Sequence, residues 1–197
     1  VECWVCPFST VSGQSHAIVS FFDAGNNRRC WQIQRNGTGN DFRFYYSTDG
    51  NTPLSLQHGT EVLVSNGLRQ QWTHLAVVRN SNTLTLYVNG TSVDSAAITG
   101  SLNSNTTDPL VVGGAISSGT AGSYYYGYVR DLRIVKGTAV YTSAFTPPTR
   151  TLTAINNTSL LAGHLPYFAD GSSNDHAITI NGGADLRRFG PYDYQSY

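Results

Sequence analysis

The sequence predicts an all-β domain, built as a sandwich or a barrel, and three observations support this fold class. The 197 residues include 20 Gly, 12 Tyr and 8 Phe, together with many Thr, Ser, Asn and Val. Glu and Lys, two residues from which helices are usually built, are scarce. Short alternating apolar and polar runs are separated at close intervals by turn residues, which is typical of sandwiches and barrels.

Four strands are predicted in the first quarter of the chain. Pro7 ends the first strand because it lacks a donor for the ladder. The turn 23–27 ends the second, and the loop 36–40 between the third and fourth is rich in residues that tolerate positive φ. The predicted strands are Val1–Cys6, Ala17–Phe22, Arg29–Arg35 and Asp41–Ser47.

The stretch 72–95 predicts a three-strand antiparallel meander. Asn89–Gly90 lies between two alternating runs and is the strongest short-range hairpin signal, because both central residues of a type I′ turn need positive φ. Residues 80–82 are predicted to form the preceding turn. Alternation assigns one buried face to Leu75, Val77, Leu84, Leu86 and Val88, and the other face to Thr83, Thr85 and Tyr87.

The later part of the chain predicts strands with two irregularities. The spacing of Val129, Leu132 and Ile134 changes from three to two, which predicts a β-bulge near Arg130–Asp131. The stretch 145–149 contains two prolines and is predicted to be extended but outside any ladder. The predicted strands are Leu110–Gly114, Tyr124–Val135, Ser159–Leu161 and Ala177–Ile180.

Composition argues against two classes of partner. Only 12% of residues are charged and the formal net charge is zero, so the basic surface that drives binding to nucleic acid is missing. No run of 18 or more apolar residues occurs, so we expect no membrane insertion.

The three cysteines, Cys3, Cys6 and Cys30, cannot all pair within the chain. No second Cys pair or closely spaced His pair is present to complete a zinc site. Cys3 and Cys6 lie three apart in a predicted strand, so a bond between them would be awkward. We interpret all three as small apolar residues, and a link from Cys30 to Cys3 or Cys6 stays open.

Three stretches carry a family resemblance: Val1–Pro7, Trp72–Arg79 followed by Leu84–Gly90, and Tyr126–Ile134. Together they resemble laminin-G-like domains of the concanavalin A-like kind. The resemblance implies a two-sheet antiparallel jelly-roll sandwich over residues 1–150, whose rim loops commonly take ligands, sometimes through calcium. Residues 151–197 then form a C-terminal extension with short strands that closes the sandwich or leads to a neighbour.

A second, narrower resemblance concerns the biological setting of the protein. Phe44–Gly50, Leu132–Tyr141 and Phe168–His176 are similar to variants in the virion proteins of marine tailed phages. This similarity implies an exposed capsid or tail protein, located on the virion surface or otherwise extracellular. The absence of Met and the start inside a predicted strand are expected of a processed protein or a piece of a longer one.

Catalysis is not predicted, although the same overall fold houses glycoside hydrolases. Those enzymes need two carboxylates a few ångströms apart. Glu2 and Glu61 lie in separate segments, and Asp170 and Asp175 lie in a turn-like stretch. His74, on a strand, is interpreted as a structural residue rather than a base.

Calcium is a candidate ligand, because it binds carboxylate, amide and carbonyl oxygens. The oxygen-rich segments 23–27 and 103–108 lie at predicted strand ends, with Asp23 and Asp108 as candidate metal ligands. Turn formation alone would also explain these residues.

Tyr124, Tyr125 and Tyr126 are the best candidates for direct recognition of a ligand. Asn26 and Asn27 are also predicted to be ligand-binding residues. Tyrosines after the small-residue loop 117–123 resemble an antibody paratope, where rigid rings stack on sugars or protein. A strand with alternating tyrosines is the alternative.

The sequence therefore predicts a non-enzymatic binding or structural module. Its expected partner is a host surface glycan or another virion protein, and assembly into a homo-oligomer is compatible with a virion role. Two alternatives remain: a secreted, calcium-assisted carbohydrate- or protein-binding domain of a cellular adhesin, and an accessory domain of a glycoside hydrolase.

Overall fold

The computed structural model describes residues 1–8, 14–37, 41–58, 71–104 and 107–192. These ranges form strands and no helix, which confirms the all-β prediction. The strands are β1 (Glu2–Pro7), β2 (His16–Asp23), β3 (Arg28–Arg35), β4 (Phe42–Tyr46), β5 (Leu54–Gln57), β6 (Thr73–Asn80), β7 (Thr83–Val88), β8 (Thr91–Ala97), β9 (Val111–Val112), β10 (Ala115–Ser117), β11 (Thr120–Gly122), β12 (Gly127–Val135) and β13 (Thr158–Ala162).

Two sheets make the sandwich. The first has the order β13-β12-β1-β6-β7-β8, and the second has the order β11-β10-β2-β3-β4-β5 with β9 paired to β2. Pairing is antiparallel except between β10 and β2, which meet in parallel at Ile116 and Asp23. The short strands β5, β10 and β11 were not predicted, because runs of three or four residues carry little periodic signal.

The core lies between the inner faces of the two sheets. Apolar side chains meet there, mostly from alternate strand positions, and burying each large one stabilises the fold by about 1.5–3 kcal/mol. The first sheet contributes Cys3, Val5, Leu75, Val77, Leu84, Leu86, Val88 and Leu132, and the second contributes Ile18, Val19, Ile33, Phe42, Phe44, Tyr46 and Leu56.

The predicted meander is confirmed as β6, β7 and β8. Asn89 and Gly90 have φ values of 50° and 78°, as a type I′ turn requires. The turn between β6 and β7 is Ser81–Asn82, since Asn80 still belongs to β6. On the outer face, Tyr87 packs with Ala76 and Val78 under the irregular stretch 139–145.

The predicted β-bulge is confirmed. Glu2 pairs with Arg133 and Trp4 with Arg130, so Asp131 and Leu132 lie opposite the single residue Cys3. Asp131 adopts a positive φ of 52°. The bulge turns Leu132 into the core and leaves the Asp131 carboxylate buried at the base of the C-terminal segment.

The C-terminal extension contributes β13, which pairs with β12 and becomes the edge of the first sheet. Ser159–Leu161 is thus confirmed as a strand, whereas the prediction for Ala177–Ile180 is wrong. Ile178 and Ile180 are exposed, so their alternation serves no buried face. The His176 N–H donates to Asp170 Oδ2 at 3.0 Å, which ties the chain into a turn just before this segment.

All three cysteines are buried, in agreement with their interpretation as apolar residues, and none forms a disulfide among the described residues. Burial raises the pKa of Cys3 to about 12 and that of Cys6 to about 11. Both thiols therefore stay protonated at neutral pH. No described segment forms a helix with the length and apolarity that a membrane crossing requires.

Candidate functional site

An aromatic rim lies at the end of the sandwich where β1 ends and β2 and β12 begin. We define it by Phe8, His16, Tyr124, Tyr126 and Tyr128. The backbone holds these residues together, because the Phe8 N–H donates to the Tyr126 carbonyl at 3.0 Å. Further bonds run from Ala17 N to Ser123 O at 2.8 Å and from Tyr125 N to Gly113 O at 3.0 Å. The segment before β12 is thus fixed on both sides.

The three consecutive tyrosines alternate in direction without forming a strand. Tyr124 and Tyr126 are 56% and 54% exposed, whereas Tyr125 packs against the main core. Burial raises the pKa of Tyr125 well above its usual value of 10. Two of the three predicted recognition residues therefore present rings to solvent, and Tyr125 supports them from below.

The exposed rings rest on a second layer of rings. The Tyr126 ring meets the buried His16 imidazole edge-on at 5.4 Å, and the Phe8 ring, 41% exposed, meets Tyr128 edge-on at 4.6 Å. His16 Nδ1 lies 2.6 Å from the Tyr124 carbonyl oxygen. Such edge contacts orient rings as well as bury them, so the rim is preorganised.

The aromatic surface continues onto the outer face of the first sheet. Tyr128 and Trp72 lie 4.8 Å and 5.4 Å from Phe189, measured between ring centroids. Beyond them Trp4 meets Tyr192 edge-on at 6.1 Å. Residues 189–192 thus cover this part of the face, while the rings of Phe8, Tyr124 and Tyr126 are exposed in the part of the chain that the structure describes.

The loop 117–123 is shorter and more regular than predicted. It forms the hairpin of β10 and β11, with Ser118 and Gly119 at φ values of 50° and 77° in its turn. Small residues here serve a tight turn rather than a flexible loop. The tip of this hairpin contacts Asp23, while its end leads into the tyrosines.

Asn26 and Asn27 lie far from the tyrosines. They follow β2, whereas the aromatic rim lies at its start, roughly 20 Å away for a strand of this length. Asn26 donates to Asp23 Oδ2 at 2.8 Å, and Asn27 Oδ1 accepts from Arg29 at 2.9 Å. The structure therefore does not bring the two sets of predicted ligand-binding residues into one site.

Asp23 and Asp108, the predicted metal ligands, are joined by Arg28. The guanidinium donates to Asp108 Oδ2 at 2.7 Å and Oδ1 at 2.8 Å, and to Asp23 Oδ2 at 3.0 Å. A calcium ion held by both carboxylates would compete for the oxygens that the guanidinium already binds. The residues as arranged do not fit the ion, and calcium binding remains an untested prediction. Asn105 and Thr106, within the second oxygen-rich segment, lie outside the described residues.

A buried polar cluster joins Glu2, His74, Arg133 and Tyr141 on the outer face of the first sheet. Glu2 Oε1 accepts two hydrogen bonds from Arg133, and Oε2 accepts one from the Tyr141 hydroxyl at 2.8 Å. His74 Nε2 lies 3.2 Å from Glu2 Oε2, and the His74 side chain is fully buried. This environment agrees with a structural role for His74.

The carboxylates considered for catalysis have other roles or lie elsewhere. Asp170 accepts four hydrogen bonds, from Leu161 N, Ser172 N, Ser172 Oγ and His176 N, at 2.8–3.0 Å. These bonds outweigh burial and lower its pKa. Asp175 lies in the same turn with a positive φ of 48°. Glu61 lies outside the described residues.

Sequence reasoning missed Phe8, His16 and Arg28. Phe8 follows a strand-ending proline, and His16 starts a strand, so neither position carries a pattern. Arg28 could have been proposed as a partner of Asp23 and Asp108, since an arginine can neutralise the carboxylates of the segments 23–27 and 103–108. Its partners are five and 80 positions away, however, and only the fold shows that they meet.

Residues 1–144 match the laminin-G family described as the concanavalin A-like lectin/glucanases superfamily. The chain belongs to this superfamily. The match covers most of the two sheets and ends before β13. No curated protein matches the chain.

Three solved structures are similar to parts of this chain. The CBM40 module of a Ruminococcus gnavus sialidase, bound to α2,6-sialyllactose, is 16% identical over 64% of this chain and 69% of its own, with a TM-score of 0.48. A leech intramolecular trans-sialidase is 16% identical over 65% and 20%, with a TM-score of 0.49. The botulinum neurotoxin serotype D binding domain is 19% identical over 49% and 24%, with a TM-score of 0.41. This chain thus spans about a quarter of the toxin domain.

Proposed function

We propose that the chain is a non-enzymatic binding module that takes a surface glycan on its aromatic rim. The observation that carries this proposal is the pair of half-exposed rings, Tyr124 and Tyr126, on either side of the partly buried Tyr125. Membership of a superfamily named for lectins and glucanases is compatible with a sugar ligand.

The chemistry of the rim suits a neutral sugar. Aromatic rings stack on the apolar C–H faces of a pyranose, and tyrosine hydroxyls bond its hydroxyl groups. Tyr124 OH donates to the Ala121 carbonyl at 3.2 Å, which leaves its lone pairs for a ligand donor. His16 already orients the Tyr126 ring, and Tyr128 orients the Phe8 ring. Little side-chain conformational entropy is therefore lost when a ligand binds.

The proposed setting is the exposed surface of a phage virion, where the partner is a host glycan. This setting rests on the similarity of residues 44–50, 132–141 and 168–176 to virion proteins of marine tailed phages. Display in several copies would raise the avidity of weak single sites. Recovery of the chain in purified particles at fixed stoichiometry would support the setting, and its presence in a cellular secretome would favour an adhesin.

The alternative of a glycosidase accessory domain differs only in what the module is attached to. The described carboxylates near the aromatic face hold the fold together: Glu2 binds Arg133, and Asp131 accepts from Tyr192 at 2.6 Å. We therefore place recognition, rather than hydrolysis, on this chain.

A glycan array probed with the purified chain tests the proposal. Spots that bind in both calcium and chelator would support a rim that uses rings and hydroxyls. An array without any bound glycan would contradict the glycan proposal and turn the search to a neighbouring virion protein.

A further inference from the structure

The end of the sandwich opposite the aromatic rim holds two carboxylates around one cation. Asp23 ends β2 and is completely buried, while Asp108 is 9% exposed at its side chain. Arg28 begins β3 and reaches between them with a side chain that is 33% exposed. We propose that the Arg28 guanidinium is the built-in cation of this end, holding the position that a divalent metal ion would otherwise take.

Arg28 and Asp108 form a bidentate ion pair. Arg28 Nε and Nη2 donate to Oδ2 and Oδ1 at 2.7 and 2.8 Å, so both carboxylate oxygens face the guanidinium. Bidentate pairs of this kind are shorter and stronger than single neutral hydrogen bonds. The pairing spans 80 positions of the chain and fastens the segment before β9 to the start of β3.

The geometry at Asp23 completes the site. Oδ1 accepts from the backbone N–H groups of Gly25, Asn26 and Ser118 at 2.9–3.2 Å. Oδ2 accepts from the Asn26 amide at 2.8 Å and from Arg28 Nη2 at 3.0 Å. Five donors thus converge on one buried carboxylate, and Arg28 supplies the full positive charge among them.

This arrangement joins three segments that a metal ion bound at this end could also join: the turn after β2, the segment at Asp108 and the tip of the β10–β11 hairpin. A guanidinium keeps its charge at every pH at which the protein folds, and a chelator cannot remove it. The stability of this end should therefore be independent of calcium. Calcium should matter only after the guanidinium is removed, because the two carboxylates then lose the cation that they share.

Thermal unfolding of the wild type, Arg28→Ala and Arg43→Ala, each with excess calcium and with EDTA, tests the proposal. Arg43 pairs with the buried Asp41 at 2.8 Å and has a side-chain exposure of 27%, so it is a matched control with one carboxylate. We expect an equal wild-type Tm in both buffers. We expect the Tm of Arg28→Ala to be lower by about 5 °C, with part of that loss restored by calcium. Arg43→Ala should be insensitive to calcium.

A wild-type Tm that falls on chelation, or calcium retained by the wild type in equilibrium dialysis, would overturn the proposal. So would an Arg28→Ala protein that responds to calcium no more than Arg43→Ala does. Should Arg28→Ala fail to fold, Arg28→Lys keeps the charge without the fork, and the wild-type comparison decides by itself. All of these readouts are independent of glycan binding.

Discussion

The carboxylate of Glu2 and the guanidinium of Arg133, 131 positions apart in the chain, form a buried ion pair on the outer face of the first sheet. Glu2 Oε1 accepts from Arg133 Nε at 2.9 Å and from Nη2 at 2.6 Å, and both side chains are buried. Arg133 also donates to the Thr153 carbonyl at 2.9 Å. This pair fixes the outer face of β1 and β12 and ties the stretch after β12 to it.

Glu2→Gln should destabilise the fold by about 3–5 kcal/mol, because it leaves the Arg133 charge buried without a counter-charge. Urea unfolding measures the loss. Arg133→Met alone should cost a similar amount, but the double variant should lose less than the sum of the two. Additive losses would show that the two residues stabilise the fold independently.

Asp131→Asn should leave stability at neutral pH unchanged or higher. Burial raises the pKa of Asp131, although Tyr192 and Leu152 donate to its carboxylate. Ionisation in the folded state is therefore costly, and wild-type stability declines as pH rises from the usual aspartate pKa through the raised one. Asparagine accepts the same two bonds without a charge and tolerates the positive φ.

The stability gap between Asp131→Asn and the wild type should thus widen in favour of the variant as pH increases through that range. Asp131→Ala, which leaves Tyr192 and Leu152 unpaired, should cost about 2–3 kcal/mol. Denaturant unfolding at several pH values measures both. A gap that narrows with increasing pH would contradict the predicted sign.

The stability that Asp170 contributes should depend on pH in the opposite direction to that of Asp131. Its lowered pKa means that the ionised form is favoured in the folded state, so its contribution is complete above the usual aspartate pKa. That contribution is lost as pH falls through the lowered folded pKa. Asp170→Ala should cost about 2–3 kcal/mol at neutral pH and less in acid, as measured by urea unfolding. An equal loss at both pH values would exclude the charge as the cause.

Gly90→Ala should destabilise the protein more than Gly100→Ala. Both glycines have a positive φ, of 78° and 74°, so both variants bear the backbone penalty of about 1 kcal/mol. A Cβ at Gly90 would collide with the Phe145 carbonyl oxygen, whereas one at Gly100 meets nothing within 4 Å. Thermal unfolding compares them, and equal Tm values would show that the Phe145 stretch moves aside freely.

Much of the sandwich could be predicted from local pattern. The meander with its Asn89–Gly90 turn and the bulge near Asp131 are encoded by neighbouring residues, because alternation and turn chemistry act over a few positions. The prediction failed at Ala177–Ile180, where alternation had no sheet to join. Pairing of distant segments, such as Arg28 with Asp108, depends on the fold and leaves no local trace.

The candidate site was predicted in part for the same reason. The run of tyrosines is visible in the sequence, but which of them turns inward depends on the backbone hydrogen bonds of Ser123 to β2 and of Tyr125 to Gly113, between β9 and β10. Phe8 and His16 lie in the rim because of how β1, β2 and β12 are placed in the fold, which their neighbours in the sequence do not indicate. Asn26 and Asn27 share the polar character of a binding loop, yet they lie at the other end of β2.

The most direct test of the glycan-binding account is a glycan array probed in parallel with the wild type, Tyr126→Ala and Leu54→Ala. Leu54 is 47% exposed on the edge strand β5 and is a matched surface control. We predict that Tyr126→Ala loses roughly two- to tenfold in binding to the wild-type spots, since a stacked aromatic ring contributes about 0.5–1.5 kcal/mol, while Leu54→Ala binds like the wild type. Unchanged binding by Tyr126→Ala would contradict the account.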